Sequence, residues 1–253
     1  LFGLKPTQNS HPQDGHIPPL PNRDIGFSML ASTGPLARTV EDLKLAYNIA
    51  YAPRWDYLQY LPVQSPVPVH KALKDYKVAW YDEIGPHTCD NETKNVMNTF
   101  IQTLEASGAS VKKITLNTTF HKRIYAVWAT LFGLVAGQDF NWGIRQLMKL
   151  SFRKDTSGSK LNAFKALKKG LSLNFMAFSR ALRERQECIA EFSRYFDDYD
   201  FVISPTSVGP AFKHNPKHTP IKVDGENIHY TDYCFPFVLP FNAMGHPVLV
   251  VPA

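Results

Sequence analysis

Between residues 39 and 50 the apolar positions Val40, Leu43, Ala46, Tyr47 and Ala50 recur at helical spacing, which predicts an amphipathic helix. Thr39 and Asp42 stand at its start in the S/T-x-x-D/E relation. The hydroxyl can accept from an orphan backbone N–H while the carboxylate reaches back. The pattern changes at 77–81, where Lys-Val-Ala-Trp-Tyr reads as a short buried strand. Helical spacing returns over 90–107, with Val96, Met97, Phe100, Ile101 and Leu104 inward and Gly108 where a C-terminal cap belongs. Residues 110–116 alternate and read as a second strand. A strand, a helix and a strand over about forty residues predict a βαβ unit with parallel pairing.

Residues 119–197 are mainly helical in pattern, broken at 151–160 around Ser157-Gly158-Ser159, and 175–195 is the strongest helix. Phe-Val-Ile-Ser at 201–204 reads as a buried strand stopped by Pro205. Its prolines make 208–222 a loop; 227–230 reads as an edge strand and 248–251 as a central one. Pro6, Pro12, Pro18, Pro19, Pro21 and Pro35 forbid a long helix in 1–35, which reads as loop, and 51–69 is a Pro- and aromatic-rich connector. There is no internal repeat. The expected class is α/β, with 201–204 and 248–251 in one mixed sheet covered by helices on both faces.

A length of 253 residues fits one large domain or two small ones, and 44% hydrophobic residues is ordinary for a globular chain. No apolar run approaches the ~20 residues of a membrane-spanning helix. The net charge of +6 matters through its clustering: Arg145, Lys149, Arg153, Lys154, Lys160, Lys165, Lys168, Lys169, Arg180 and Arg183 gather in one stretch. Leu147, Leu150, Phe152, Leu161, Phe164, Leu167 and Leu171 interleave with them at mostly helical spacing. This reads as a solvated basic face over a core stripe; an anionic substrate or partner is the alternative. No aromatic-rich recognition motif accompanies the charge, so neither nucleic acid nor membrane is an expected partner. Cys89, Cys188 and Cys234 form no C-x-x-C pair, which removes support for a zinc or thioredoxin-like site. Sparse thiols fit a reducing compartment, and the cytoplasm is the expected location. No cofactor is expected: phosphate-binding glycine loops are absent, and Pro216 breaks the helix that would align His214 with His218 for a metal.

Several short motifs follow one another in order. Residues 1–7 read Leu-Phe-Gly-Leu-Lys-Pro-Thr, and 34–43 read Gly-Pro-Leu-Ala-Arg-Thr-Val-Glu-Asp-Leu. The 90–107 helix ends in Leu-Glu-Ala-Ser-Gly-Ala-Ser-Val at 104–111. Arg183, Arg185 and Phe192 precede Tyr-Asp-Phe-Val-Ile-Ser-Pro-Thr at 199–206, and Pro-Phe-Asn-Ala-Met-Gly-His-Pro fills 240–247. Each is weak alone; together, in this order, they resemble the amidase-signature hydrolases, although 119–180 carries no such motif. The resemblance implies a three-layer α/β/α fold with a mixed sheet. It implies that residues 1–253 are the C-terminal portion of a single amidase-signature domain, incomplete without an N-terminal part. The family's nucleophilic serine, its second serine and its lysine lie upstream of the Gly-Leu-Lys-Pro-Thr run. The resemblance therefore assigns no catalytic residue here, and Lys5 does not match the catalytic lysine. It implies a serine amidase acting on a small-molecule amide through an acyl-enzyme, with this chain inactive alone. An amidotransferase subunit of the same family, or a non-catalytic binding protein on the same fold, are the alternatives.

Three positions are candidate substrate contacts. Ser28 stands in the loop before the Gly-Pro-Leu-Ala-Arg motif, Thr206 follows a strand C-terminus, and Asn242 precedes the last strand. The competing reading is that Thr206 and Asn242 satisfy buried backbone groups. Ser157-Gly158-Ser159-Lys160 mimics a serine–serine–lysine set but lacks a nucleophile elbow around it, and reads as an interhelical loop.

Overall fold

The structure is a computed structural model that describes residues 1–10, 29–50, 71–151, 158–161 and 163–252. In chain order the elements begin β1 (Phe2–Lys5), β2 (Leu36–Ala37), α1 (Val40–Ala50), β3 (Lys77–Trp80), β4 (Glu83–Ile84) and β5 (His87–Thr88). They continue with α2 (Asn91–Ala106), β6 (Ser110–Lys113), α3 (Thr118–Gly137), α4 (Trp142–Ser151), α5 (Ala163–Gly170), α6 (Phe175–Ser193) and α7 (Tyr195–Asp198). The chain closes with β7 (Phe201–Ile203), β8 (Ile221–Val223), β9 (Glu226–Ile228), α8 (Tyr230–Cys234), α9 (Leu239–Met244) and β10 (Val248–Val250). It forms two compact units, Leu1–Val69 with Phe241–Pro252, and His70–Pro240. The 51–69 connector lies outside the described residues.

In the first unit β1 is the middle strand of an antiparallel sheet ordered β10-β1-β2. This corrects the reading of 1–35 as loop: Phe2–Lys5 is a strand that ends where Pro6 removes a donor. Gly34 explains the second motif. A Cβ there would stand 1.6 Å from the Leu4 carbonyl oxygen, so only glycine lets this segment lie against β1. Thr39 caps α1 as expected, its Oγ1 accepting from the Asp42 N–H at 3.0 Å. Leu43 is the buried residue of that helix. Lys5 Nζ donates to the carbonyls of Pro6 (3.1 Å) and His246 (2.8 Å), a structural use of this lysine.

The second unit contains the expected βαβ. β3 pairs in parallel with β6, from Lys77 opposite Ser110 to Trp80 opposite Lys113. Between them Asp90 caps α2, its carboxylate accepting from the Thr93 N–H at 2.7 Å. Gly108, at φ +91°, ends it, with Ala109 N–H reaching the Leu104 carbonyl. Met97 and Ile101 bury against Trp80, with Val96 exposed. β7 pairs in parallel on the other side of β3. Asp200 latches that pairing, its carboxylate accepting from the Lys77 N–H at 2.9 Å and from Lys71 Nζ at 2.6 Å. β7 and β10 therefore lie in different sheets, against the expectation that they share one. Nor is β10 central among the described residues: it is an edge strand with Leu249 and Val250 exposed. An apolar run reports hydrophobic character and says nothing of which backbone it pairs with.

The helices of this unit meet at two kinds of contact. α3 and α5 cross with backbones almost touching at Gly133 and Gly170, where a Cβ on either would lie 2.2 Å from a carbonyl of the other helix. Arg123 of α3 binds three carboxylates of α6 at once: Glu184 through Nε, Glu191 at 2.7 Å and Glu187 at 3.1 Å. The basic stretch divides. Leu161, Leu167 and Leu171 are buried as a core stripe should be, but Leu147 and Leu150 of α4 face solvent. No residue of α4 is buried, and Lys149 Nζ on it donates to Ser172 Oγ at 2.6 Å. The strand expected over 227–230 is Glu226–Ile228, half of a β8–β9 hairpin whose Asp224 and Gly225 both have positive φ, the Asp-Gly turn signal, while Tyr230 already begins α8.

Candidate functional site

Open α/β sheets gather ligand-contacting groups at strand C-termini, because the helices cover the faces. In the second unit these ends carry Tyr81, Asp82, Ser204 and Thr206. Tyr81 is buried, donates its N–H to the Ile203 carbonyl at 3.0 Å, and has its phenol pushed up to about 12 by burial. A hydrogen bond to Ser204 pulls in the other direction. Asp82 is buried and pairs with Lys113, at 2.8 Å to Oδ1 and 3.0 Å to Oδ2. The Lys113 ammonium lies 4.7 Å from the Trp80 ring centre, so a half-exposed cation shields the carboxylate while stacking on the indole.

A buried polar cluster adjoins this sequence region. Asp232 of α8 is 2% exposed and accepts from Ser159 Oγ (2.5 Å) and the Lys160 N–H (2.5 Å). His229 caps the same helix, its Nδ1 2.8 Å from Thr231 Oγ1. His87 and His121 are buried and lie edge-on to Tyr125, with ring centres 6.3 and 6.0 Å away. Burial lowers His87 to about 4; Asp232 opposes that shift, while His121 and Lys160 add to it. Burial, then Lys122, lowers His121 as well. Both imidazoles are therefore neutral near pH 7, and neither His87 Nε2 nor His121 Nδ1 has a hydrogen-bond partner among the described residues. Tyr125 is raised by burial and donates to the Pro236 carbonyl at 2.7 Å. Gly85, at φ +61°, lets the β4–β5 hairpin lie on His121, whose ring a Cβ would meet at 2.4 Å.

The Ser159 hydroxyl donates a hydrogen bond to the Asp232 carboxylate and accepts from the Leu161 N–H at 3.3 Å, which fastens its loop. Thr206 is exposed beyond β7, which removes the reading of it as a buried hydrogen-bond satisfier. Asn242 is half-buried within α9 in the first unit, and Ser28 lies outside the described residues. His214 and His218 are exposed, and His218 stacks on Tyr230. Among the described residues no three His, Cys, Asp or Glu side chains gather closely enough to hold a metal. The buried cluster escapes a reading of the sequence because His87, His121, Ser159 and Asp232 are far apart in the chain. The one local signal is Gly85-Pro86, a turn ahead of His87.

The profile of the protein family described as Amidase matches residues 1–253. The chain is 26% identical over 236 residues to a glutamyl-tRNA(Gln) amidotransferase subunit of Deinococcus deserti, covering 86% of this chain and 46% of that protein. It is 25% identical over 258 residues to indoleacetamide hydrolase of Bradyrhizobium diazoefficiens, covering 98% and 45%. The chain thus spans about half the length of these curated relatives. A solved structure of fatty acid amide hydrolase superposes with a TM-score of 0.70 at 18% identity, covering 98% of this chain and 40% of that one. That likeness shows the α/β fold.

Proposed function

The chain belongs to the amidase family, and from this we propose that it is part of a serine amidase that hydrolyses a carboxamide C–N bond through an acyl-enzyme. The observation that carries this reading is the family match across residues 1–253. The catalytic lysine and two serines belong to residues outside this chain. The occupied hydroxyl of Ser159 supports that assignment, since the one local mimic of the catalytic set serves the fold. The chain contributes the parallel-sheet crest and the groups around the substrate, with Ser28, Thr206 and Asn242 as contacts to a small-molecule amide. Exposure of Thr206 at a strand C-terminus supports its part in this. Three free cysteines support a cytoplasmic location, and no described helix is long and apolar enough to cross a membrane.

The test is a fluorophosphonate probe on the complete polypeptide encoded by the gene and on residues 1–253, followed by peptide mapping. The expected label falls on a serine outside this chain, and residues 1–253 alone turn over no amide, because loss of a nucleophile costs ~10⁶ in rate. Labelling of Ser159, with turnover abolished by Ser159→Ala, overturns the proposal. The match to an amidotransferase component favours a second reading, transfer of ammonia to a tRNA-bound substrate. That reading requires turnover of glutamine that rises when partner proteins and charged tRNA are added.

A further inference from the structure

Connecting segments usually run loosely over a protein surface, but the one that follows β7 is fastened on both sides of a single exposed side chain. Ahead of Thr206, the buried Tyr81 shares a hydrogen bond with Ser204, and Pro205 is buried. Beyond it, the Ser207 carbonyl accepts from Cys89 Sγ at 3.7 Å and the Val208 carbonyl from the Asp90 N–H at 2.8 Å. Tyr233 of α8 supplies two more bonds. Its carbonyl accepts from the Val208 N–H at 3.1 Å, and its hydroxyl donates to the Pro210 carbonyl at 2.5 Å. Gly209 is buried between these attachments, where a Cβ would stand 2.6 Å from Asp90 Oδ2 and 2.7 Å from Tyr233 Oη. Glycine lets the backbone pass between the two oxygens.

Val208, Gly209 and Tyr233 are buried, yet the side chain that the attachments bracket is not: Thr206 stands exposed just beyond the C-terminal end of a parallel strand. Fixing a backbone costs conformational freedom, and here the outward group on the fixed backbone is a hydroxyl. A hydroxyl held in place before a ligand arrives gives up less freedom on binding. We propose that Tyr233 is a positioning residue, which holds the segment after β7 so that the Thr206 hydroxyl is preorganised to hydrogen-bond a polar group of the amide substrate. The role of Tyr233 rests on the reading of Thr206 as a substrate contact. Tyr233 is the lever because one buried residue grips the chain on each side of Gly209. Its hydroxyl bond can also be removed alone. Phenylalanine keeps the ring, the edge-on packing against Phe212 at 5.4 Å and the backbone bond from Val208. Tyr233 is far from Thr206 in the chain, so only the fold shows that the two act together.

The experiment is a double-mutant cycle on the complete polypeptide, with Thr206→Val, Tyr233→Phe and the two combined. Turnover of p-nitroacetanilide, benzamide and hexanamide is measured, together with the protection that each gives against a fluorophosphonate label. Each single variant is expected to raise KM, or the concentration that gives half-protection, about fivefold, the worth of one hydrogen bond, with kcat changed by less than about twofold. The double variant should lose no more than Thr206→Val alone, since a brace has nothing to position once the hydroxyl is gone. Gly209→Ala reaches the same brace from the other side, by pushing Asp90 Oδ2 and Tyr233 Oη away, and should raise KM likewise. Losses that multiply in the double variant would mean that Tyr233 acts on the fold at large, and they overturn the proposal. So does a Thr206→Val or Tyr233→Phe protein with unaltered KM and protection. A parent that takes the label but neither cleaves nor is protected by any of the three amides also overturns it, while leaving the nucleophile reading intact. A parent that takes no label and cleaves nothing refutes the amidase reading itself, and the role of Tyr233 falls with it.

Discussion

Replacing Gly133 by alanine tests the closest contact in the second unit. The new methyl would lie 2.2 Å from the Leu167 carbonyl oxygen, 3.0 Å from Gly170 Cα and 3.1 Å from the Leu167 carbonyl carbon. All three are backbone atoms of the α5 crossing, so no side chain can rotate away. Non-bonded atoms settle near ~3.5 Å, which requires the two helices to part by ~1 Å. Overpacking of this kind costs ~1–3 kcal/mol, and a clash with rigid backbone belongs at the upper end. Alanine returns ~1 kcal/mol of helix propensity. The expected net loss is ~2 kcal/mol, read in urea as a midpoint lowered by ~1 M at unchanged slope. Gly143→Ala on α4 is the control, since its Cβ would meet only the Asn141 side chain at 3.4 Å. That variant should be neutral or slightly stabilised. A Gly133→Ala protein as stable as the control would refute the claim that glycine is there to let the helices touch.

Two further perturbations test the electrostatics. His87 is held neutral with its pKa lowered from 6.5 to about 4, so as pH falls the unfolded chain takes up the proton first. Its cost to stability is absent above about 6.5, grows by ~1.4 kcal/mol per pH unit down to about 4, and is constant below. His87→Gln should flatten that acid slope by about one proton in urea titrations, and an unchanged slope would contradict the assignment. Arg123→Met leaves Glu184, Glu187 and Glu191 together on α6 without their cation. It should cost roughly 1–2 kcal/mol at low ionic strength for these partly exposed groups, and less in 1 M salt. A loss that salt does not change would mean that packing of the arginine stem, not charge, is the cause.

Much of this protein is local and legible from the chain. Asp90 and Thr39 act as helix caps, Gly108 ends α2, and 77–113 forms a parallel βαβ, because capping geometry and periodicity depend only on neighbours in sequence. The ordered motifs are enough to point to the family, since they lie in the chain one after another. Tertiary structure decided what needs partners far away. It made a strand of Phe2–Lys5 by supplying Val248–Val250 and Leu36–Ala37 on its two sides, and it set β10 at an edge. It drew His87, His121, Ser159 and Asp232 into one buried region, where desolvation sets the charge of the histidines and a carboxylate takes up the serine hydroxyl. It also turned one leucine stripe inward and the next outward. Leu161, Leu167 and Leu171 are buried whereas Leu147 and Leu150 are exposed, and periodicity defines a face without saying which side of a helix the rest of the protein holds.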